Sequence, residues 1–280
     1  MSDFKQYIFI TNNGFQAVVT KGADIDCLKV IDYALENSSN SLLGEFEEFI
    51  YRNPELLEPD RSTYVLFQDN NPQILTPGDI QEASLQHLIQ EAWDKSVDDD
   101  QDITLKWIEI KMDPSWDVNS HIAIDCSLYN FIRRSFHPLE ISCPVNILLR
   151  EWSDSIKLKA DERYRIFIHT DSSHFYFGLF DKTGKIIALP AYNISPELSY
   201  LFYFFNETLR LLVGEEKTEI KVLISEKIHD KEALVSMLEK AGYDVQVKPS
   251  VPKLAFLSYI SDRKDIDPKV ALYISQTVGF

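Results

Sequence analysis

The same order of strand, turn and helix signals runs through this chain twice, and that repetition restricts the fold more than any other feature. Near the N-terminus, Tyr7-Ile8-Phe9-Ile10-Thr11 is an apolar, strand-favouring run closed by the turn Asn12-Asn13-Gly14, and Phe15 to Thr20 supplies a hairpin partner. Lys21-Gly22-Ala23-Asp24 turns the chain into a third strand around Cys27 to Tyr33. Leu42, Phe46, Phe49 and Ile50 then recur at helical spacing, Pro54 stops that helix, and Thr63 to Phe67 is a short apolar strand. After the polar, charged stretch Asp154 to Glu162 the pattern starts again. Arg165-Ile166-Phe167-Ile168 is a strand, Thr170 to Ser173 a polar turn, and Phe175 to Phe180 a second strand. Asp181-Lys182-Thr183-Gly184 then turns into a third strand over Lys185 to Ala191.

The remaining signals complete both halves. In the first, Asp79 and Ser127 are candidate caps for helices carrying Leu85, Leu88 and Ile89, and Leu128, Phe131 and Ile132, while Ile103 to Ile110 and His121 to Ile124 read as strands. Pro144 opens a helix ending near Trp152. In the second, Ser195-Pro196 starts a helix through Leu212, Glu219 to Ser225 is a buried strand, and Asp230 caps a helix closed by Gly242. Val245 to Val247 is a strand, and Asp267-Pro268 opens a last helix through Val278. A three-stranded meander feeding a β-α-β segment builds a mixed sheet covered by helices. We therefore expect an α/β fold of two tandem subdomains, residues 1–154 and 155–280, each a mixed five-stranded sheet with helices. The length of 280 residues agrees, at roughly 150 residues per domain.

Charge narrows the function. With 28 basic and 44 acidic side chains the net charge is −16, which repels phosphate backbones, so neither nucleic acid nor an anionic membrane is expected as a partner. Arg133-Arg134 and Lys157-Leu158-Lys159 are the only hints of a local basic site, and they read as solvated charges. Three widely spaced cysteines without a CxxC pair are thiols of a reducing compartment. The start shows no signal peptide, and the strongest apolar run, Leu198 to Phe205, is far short of the roughly 18 residues a bilayer span requires. A cytoplasmic location is expected.

The duplicated β-β-β-α-β-α order resembles the actin-like ATPase architecture of the sugar kinase, heat-shock 70 and actin superfamily, a ribonuclease H-like fold. More closely, the chain resembles an uncharacterised bacterial family of unknown function, DUF3822. The resemblance rests on Tyr64-Val65-Leu66-Phe67 with Pro72 and Thr76-Pro77. It rests also on His121-Ile122-Ala123-Ile124 with the following helix and Ile141-Ser142-Cys143, and on the hairpin Arg165 to Ala191 with its aromatic helix. It implies two subdomains facing a central cleft. The family has no assigned activity, so no catalytic residue is carried over.

An actin-like ATPase holds phosphates in two hairpin turns, each usually carrying Asp-x-Gly, because glycine lets backbone amides approach the anion and the carboxylate orients a metal-bound water. The matching turns here are Thr11-Asn12-Asn13-Gly14, with a glycine and no carboxylate, and His169-Thr170-Asp171-Ser172-Ser173, with a carboxylate and no glycine. Ser225-Glu226-Lys227 stands where adenosine-binding glycines are expected, and no P-loop or dinucleotide fingerprint occurs. The expectation is a fold that has lost its nucleotide chemistry, with no catalytic residue, no metal and no cofactor. If the cleft takes a small ligand, Asn13, Thr170, Asp171 and Ser173 are the positions to hold it.

Other constellations carry less. His169, His174 and Asp171 could form a two-histidine, one-carboxylate metal site or be plain hairpin residues. Asp98 to Asp102 lacks the glycine and the final glutamate of a calcium loop and reads as a solvated run. A ribonuclease H-like nuclease needs clustered carboxylates on strands where this chain has apolar residues. The helix from Leu198 is apolar all round in its first two turns. It is either buried between neighbours, or its Tyr200, Tyr203 and Phe204 form a patch for a protein partner. The expected function is therefore a non-catalytic protein-binding or scaffold protein with a degenerate actin-like fold. The alternative is a nucleotide-binding ATPase or kinase-like enzyme with divergent phosphate loops.

Overall fold

The computed structural model describes residues 4–11, 13–22, 24–35, 41–67, 73–96, 105–110, 118–157, 163–170, 174–188, 191–193, 202–203, 205–207, 209–210, 220–225, 230–248, 259–260 and 262–277. By contacts the chain divides into two compact units. Unit 1 is Met1–Ile147 together with Pro252–Phe280, and unit 2 is Leu148–Val251.

In unit 1, β1 (Phe4–Thr11), β2 (Gly14–Lys21) and β3 (Asp24–Ala34) form an antiparallel meander. Helix α1 (Leu42–Arg52) follows, begun by Ser41, whose hydroxyl accepts the Gly44 amide, and a 3-10 turn (Pro54–Leu57) succeeds it. The strand β4 (Ser62–Phe67) then pairs parallel to β1. An insertion comes next: β5 (Gln73–Pro77), α2 (Glu82–Ser96), β6 (Leu105–Ile110), β7 (Val118–Asp125) and α3 (Cys126–Ser135). Its strands make a separate antiparallel sheet in the order β5-β7-β6. The chain returns through β8 (Leu139–Ser142), parallel to β4, and α4 (Pro144–Lys157).

Unit 2 repeats the plan with β9 (Tyr164–Thr170), β10 (His174–Phe180), β11 (Ile186–Ala188) and β12 (Ala191–Asn193). Residues 202–203, 205–207 and 209–210 are helical. They precede β13 (Ile220–Ser225), α5 (Lys231–Lys240) and β14 (Asp244–Lys248), and the last helix of the chain is α6 (Pro268–Thr277). The two main sheets share one topology: β3-β2-β1-β4-β8 in unit 1 and β11-β10-β9-β13-β14 in unit 2, with β12 also pairing β10. In each, the first three strands are antiparallel and the last two pairings parallel. The duplication expected from sequence is thus present strand for strand.

Several local expectations are corrected. The helix cap is Asp125, whose Oδ1 accepts the Leu128 amide at 2.7 Å, and Ser127 lies inside α3. α2 begins at Glu82 rather than at Asp79, and Asp230 stands before α5 in a left-handed conformation without a side-chain cap bond. The third strand of the second meander is two short pieces, β11 and β12, and β5 and the separate three-stranded sheet had no counterpart in the sequence reading. The stretch read as a linker from Asp154 is helical as far as Lys157. Residues 252–280 group with unit 1, whereas the boundary near residue 155 put them in the second half.

Packing explains that last difference. A sheet with parallel strands buries both faces. In unit 1, Phe15, Phe46 and Phe49 fill the face under α1, with ring centroids 5.2 to 6.0 Å apart. The opposite face offers Tyr7, Phe9, Val18 and Leu66, and these form one buried cluster with Val270, Ala271, Tyr273 and Ile274 of α6. Tyr7 stacks on Tyr64 at 5.0 Å, and Tyr273 meets both edge-on. Polar bonds fix the register: Thr277 Oγ1 donates to Tyr7 Oη at 2.8 Å, Lys5 Nζ donates to the Thr277 carbonyl, and Gln16 Oε1 of β2 accepts the Asp267 amide at 2.9 Å. In unit 2 one sheet face packs Ile166, Ile168, Phe175, Phe177, Val222 and Ile224 against Phe205, Leu209, Leu234 and Leu238. On the other, Trp152 stacks on Phe167 and lies over Gly178, where a Cβ would stand 2.7 Å from the indole. No helix among the described residues is long and apolar enough to cross a membrane.

In the three-stranded sheet, His121 of β7 is buried, shares a 3.1 Å hydrogen bond with Thr76 Oγ1, and stands opposite Glu109. Burial holds the imidazole below its ordinary range, with Glu109 opposing. The unfolded chain therefore takes up this proton first as pH falls. The His121 contribution to stability is lost as pH drops from the ordinary histidine range towards the folded value. His121→Gln should flatten that acid-side slope in urea midpoints measured between about pH 7 and about pH 5, and an unchanged slope would count against it. Ile274→Ala should cost about 2–5 kcal/mol in urea denaturation, as for other large-to-small core changes. An unmoved midpoint would show that α6 is not part of the unit 1 core.

Candidate functional site

The first turn singled out from sequence joins β1 to β2. Asn13 is exposed, but its backbone groups are engaged locally: the amide donates to Thr11 Oγ1 at 3.1 Å and the carbonyl accepts the Leu35 amide at 3.0 Å. Thr11 Oγ1 in turn donates to the Gly14 carbonyl at 2.9 Å. Gly14 is required by the sheet itself. Its φ is +153°, and a Cβ there would stand 2.2 Å from the Tyr33 carbonyl oxygen as β3 passes alongside. The glycine in this turn thus answers to a close strand approach, and the Asn13 amide is directed at a hydroxyl of its own hairpin.

At the second turn, Thr170 is buried and sits in register with Phe175 at the end of the β9–β10 ladder. His169 is also buried, its ring 6.2 Å from that of Tyr176, and His174 pairs through its backbone with Asn193. Asp171 and Ser173 lie outside the described residues, as does the run Asp98 to Asp102. Among the described residues no three His, Cys, Asp or Glu side chains gather closely enough to hold a metal ion.

The aromatic helix is more informative. Phe205 and Leu209 are buried in the unit 2 core, Phe202 packs partly against it, and Tyr203 is 60% exposed. The periodicity therefore separates a core stripe from an outward ring, with Tyr200 and Phe204 outside the described residues. Asn206 ties this helix to the end of α5: its Nδ2 donates to the Phe202 carbonyl at 3.0 Å, and it accepts the Tyr243 hydroxyl at 2.6 Å. Burial pushes the Tyr243 phenol up to about 12. Alongside runs an open groove of about 570 Å³ lined by Phe202, Ala233, Ser236, Met237, Lys240 and Ala241. The α5 members recur at helical spacing on a stripe beside the buried Leu234 and Leu238. Met237 and Ala241 also pack partly against the unit 2 core, and the groove itself has no counterpart in the sequence analysis. Its signal was the exposed small residue Ala233 one turn before Met237. Physically the groove is a shallow apolar channel with a serine and a lysine at its edge, suited to holding side chains rather than to bond chemistry.

A second groove, of about 630 Å³, lies in unit 1 and is lined by Asn130, Arg133, Arg134 and His137. The arginine pair was visible in sequence. Its grouping with Asn130 and His137 follows from helical spacing, at intervals of three and four along α3 and just past its end.

Solved structures share this architecture. A protein of unknown function with an actin-like ATPase fold from Bacteroides thetaiotaomicron matches over 88% of this chain and 91% of its own, at 12% identity and a TM-score of 0.65. The PilM–PilN type IV pilus biogenesis complex contains a chain that matches over 97% of this chain and 96% of its own, at 11% identity and a TM-score of 0.50. At such identities the likeness is one of fold, and the fold of this chain is that of the actin-like ATPases. No curated protein matches the sequence. The family model described as a protein of unknown function matches residues 4–240, and the chain belongs to that family, DUF3822.

Proposed function

We propose that this chain is a non-catalytic protein-binding or scaffold protein of the cytoplasm, built on an actin-like fold whose nucleotide chemistry has been lost. The partner meets it at the aromatic helix of unit 2, through Tyr203 and its neighbours Tyr200 and Phe204. The observation that carries the reading is Tyr203, a large ring held 60% in solvent on a helix whose Phe205 and Leu209 are buried, beside the groove at Phe202 and Met237. Tyrosine on a fixed helix gives a partner a rigid apolar face with a polar tip, which is the composition of interface anchors. The first turn supports the loss of phosphate binding, since its glycine serves strand packing and its Asn13 amide serves Thr11. The PilM–PilN complex supports the binding role by analogy, because a chain of similar fold there is found together with a second protein.

Tyr203→Ala should weaken capture of a protein partner by roughly 30-fold, as loss of an aromatic hot spot of about 2 kcal/mol would. The thermal midpoint should stay nearly unchanged, because the ring contributes little to the core. Undiminished capture would remove the helix from the interface. Addition of ATP with magnesium should leave the melting temperature where it was. A ligand at about 100 times its Kd adds about 2.7 kcal/mol to a native state, which is several degrees for units of this size. A rise of that kind would favour the nucleotide-binding ATPase instead.

A further inference from the structure

We propose that the solvent face at the end of α3 is a second docking surface, and that it takes an acidic peptide segment of a protein partner. Leu128, Ile132 and Phe136 turn one face of α3 into the core. Asn130, Arg133, Arg134 and His137 lie on the other and line a single open groove. The groove is cationic on a chain whose net charge is −16, and among the described residues no carboxylate lines it. The contrast with other arginines is direct. Arg52, Arg61, Arg163, Arg210 and Arg263 each hold a carboxylate of this chain. Among the described residues none pairs with Arg133 or Arg134. Arg134 is held by its Nε, which donates to the Asn130 carbonyl at 3.2 Å, so one guanidinium is oriented while no carboxylate among the described residues compensates its charge.

A simpler account is that two arginines in a last helical turn complement the helix dipole. It covers neither His137, which stands beyond the cap at Phe136, nor the convergence of all four side chains on one concavity. The chemistry of the anion follows from the same geometry. The helix presents its carbonyl end here, so no row of free amides awaits a phosphate, and the negative pole disfavours a compact dianion. Carboxylates spaced along a peptide are singly charged and match guanidinium forks two bonds at a time. A long polyanion would meet the repulsion of the rest of the surface, whereas a short acidic segment meets mainly the local field. This surface is in unit 1 and independent of the Tyr203 patch in unit 2, so either stands if the other fails.

Fluorescence anisotropy of a labelled hexaglutamate peptide titrated with the full chain at low salt tests the proposal. Saturable binding is expected, weakened roughly tenfold or more in the Arg133→Ala, Arg134→Ala double variant, as loss of charged hydrogen bonds requires, and unaffected by Tyr203→Ala. Should the double variant fail to fold, Arg133→Lys with Arg134→Lys decides, since it keeps the charge and removes the forks. Weakening in that chain supports the proposal, and full affinity overturns the fork-based assignment. Absence of binding, equal binding by the alanine variant, or preferential binding of inorganic tripolyphosphate that the peptide cannot displace would each overturn it, the last in favour of a small-anion site.

Discussion

The structure depends on covering both faces of two mixed sheets. Parallel pairing of β1 with β4 and of β9 with β13 puts the central strands inside, and a central strand is stable only if each face is closed against water. Unit 2 meets this with the aromatic helix and α5 on one side and Trp152 on the other. Unit 1 closes one face with α1 and the other with α6, brought from the far end of the sequence. Most features discussed above follow from that requirement: the glycines where backbone or indole comes close, the tyrosine cluster under α6, and the division of the aromatic helix into an inner stripe and an outer ring.

The sequence was most legible where a signal was local. Turn residues at Asn13-Gly14 and Asp181 to Gly184, the apolar strand run within Glu219 to Ser225, and the Asp267-Pro268 helix start each report a structure held by neighbours in the chain, and all lie where expected. Caps were less reliable. Asp125 and Ser127 are both competent, and only the placement of β7 selects Asp125. The short strand β5 was missed because Gln73 to Pro77 carries little alternation and ends in proline, so its pairing with β7 is a tertiary fact. The destination of α6 is likewise not written locally, since Val270 and Ile274 specify an apolar stripe but not the sheet it covers.

The candidate sites divide in the same way. That the Thr11 to Gly14 turn lacks a carboxylate was readable at once. That Gly14 is needed by Tyr33, and that the Asn13 amide is engaged by Thr11, required the pairing of β3. Exposure of Tyr203 was one of two outcomes left open by a helix apolar all round, and the buried Phe205 and Leu209 decide it. The groove on α5 and the basic groove on α3 arise from side chains meeting at helical spacing on outward faces, where composition alone reads as ordinary surface.

The sequence position of α6 also bears on how the chain is made and how it can be divided. Unit 2 is one continuous segment and has all its parts once residue 251 has been synthesised, whereas unit 1 waits for residues beyond 252. Until then Tyr7, Tyr64 and Leu66 have no helix over them, so nascent unit 1 carries an open apolar face while unit 2 can already close. Expression of residues 1–154 by themselves would make that transient state permanent. A fragment joining residues 1–147 to 252–280 through a short linker respects the folding unit instead.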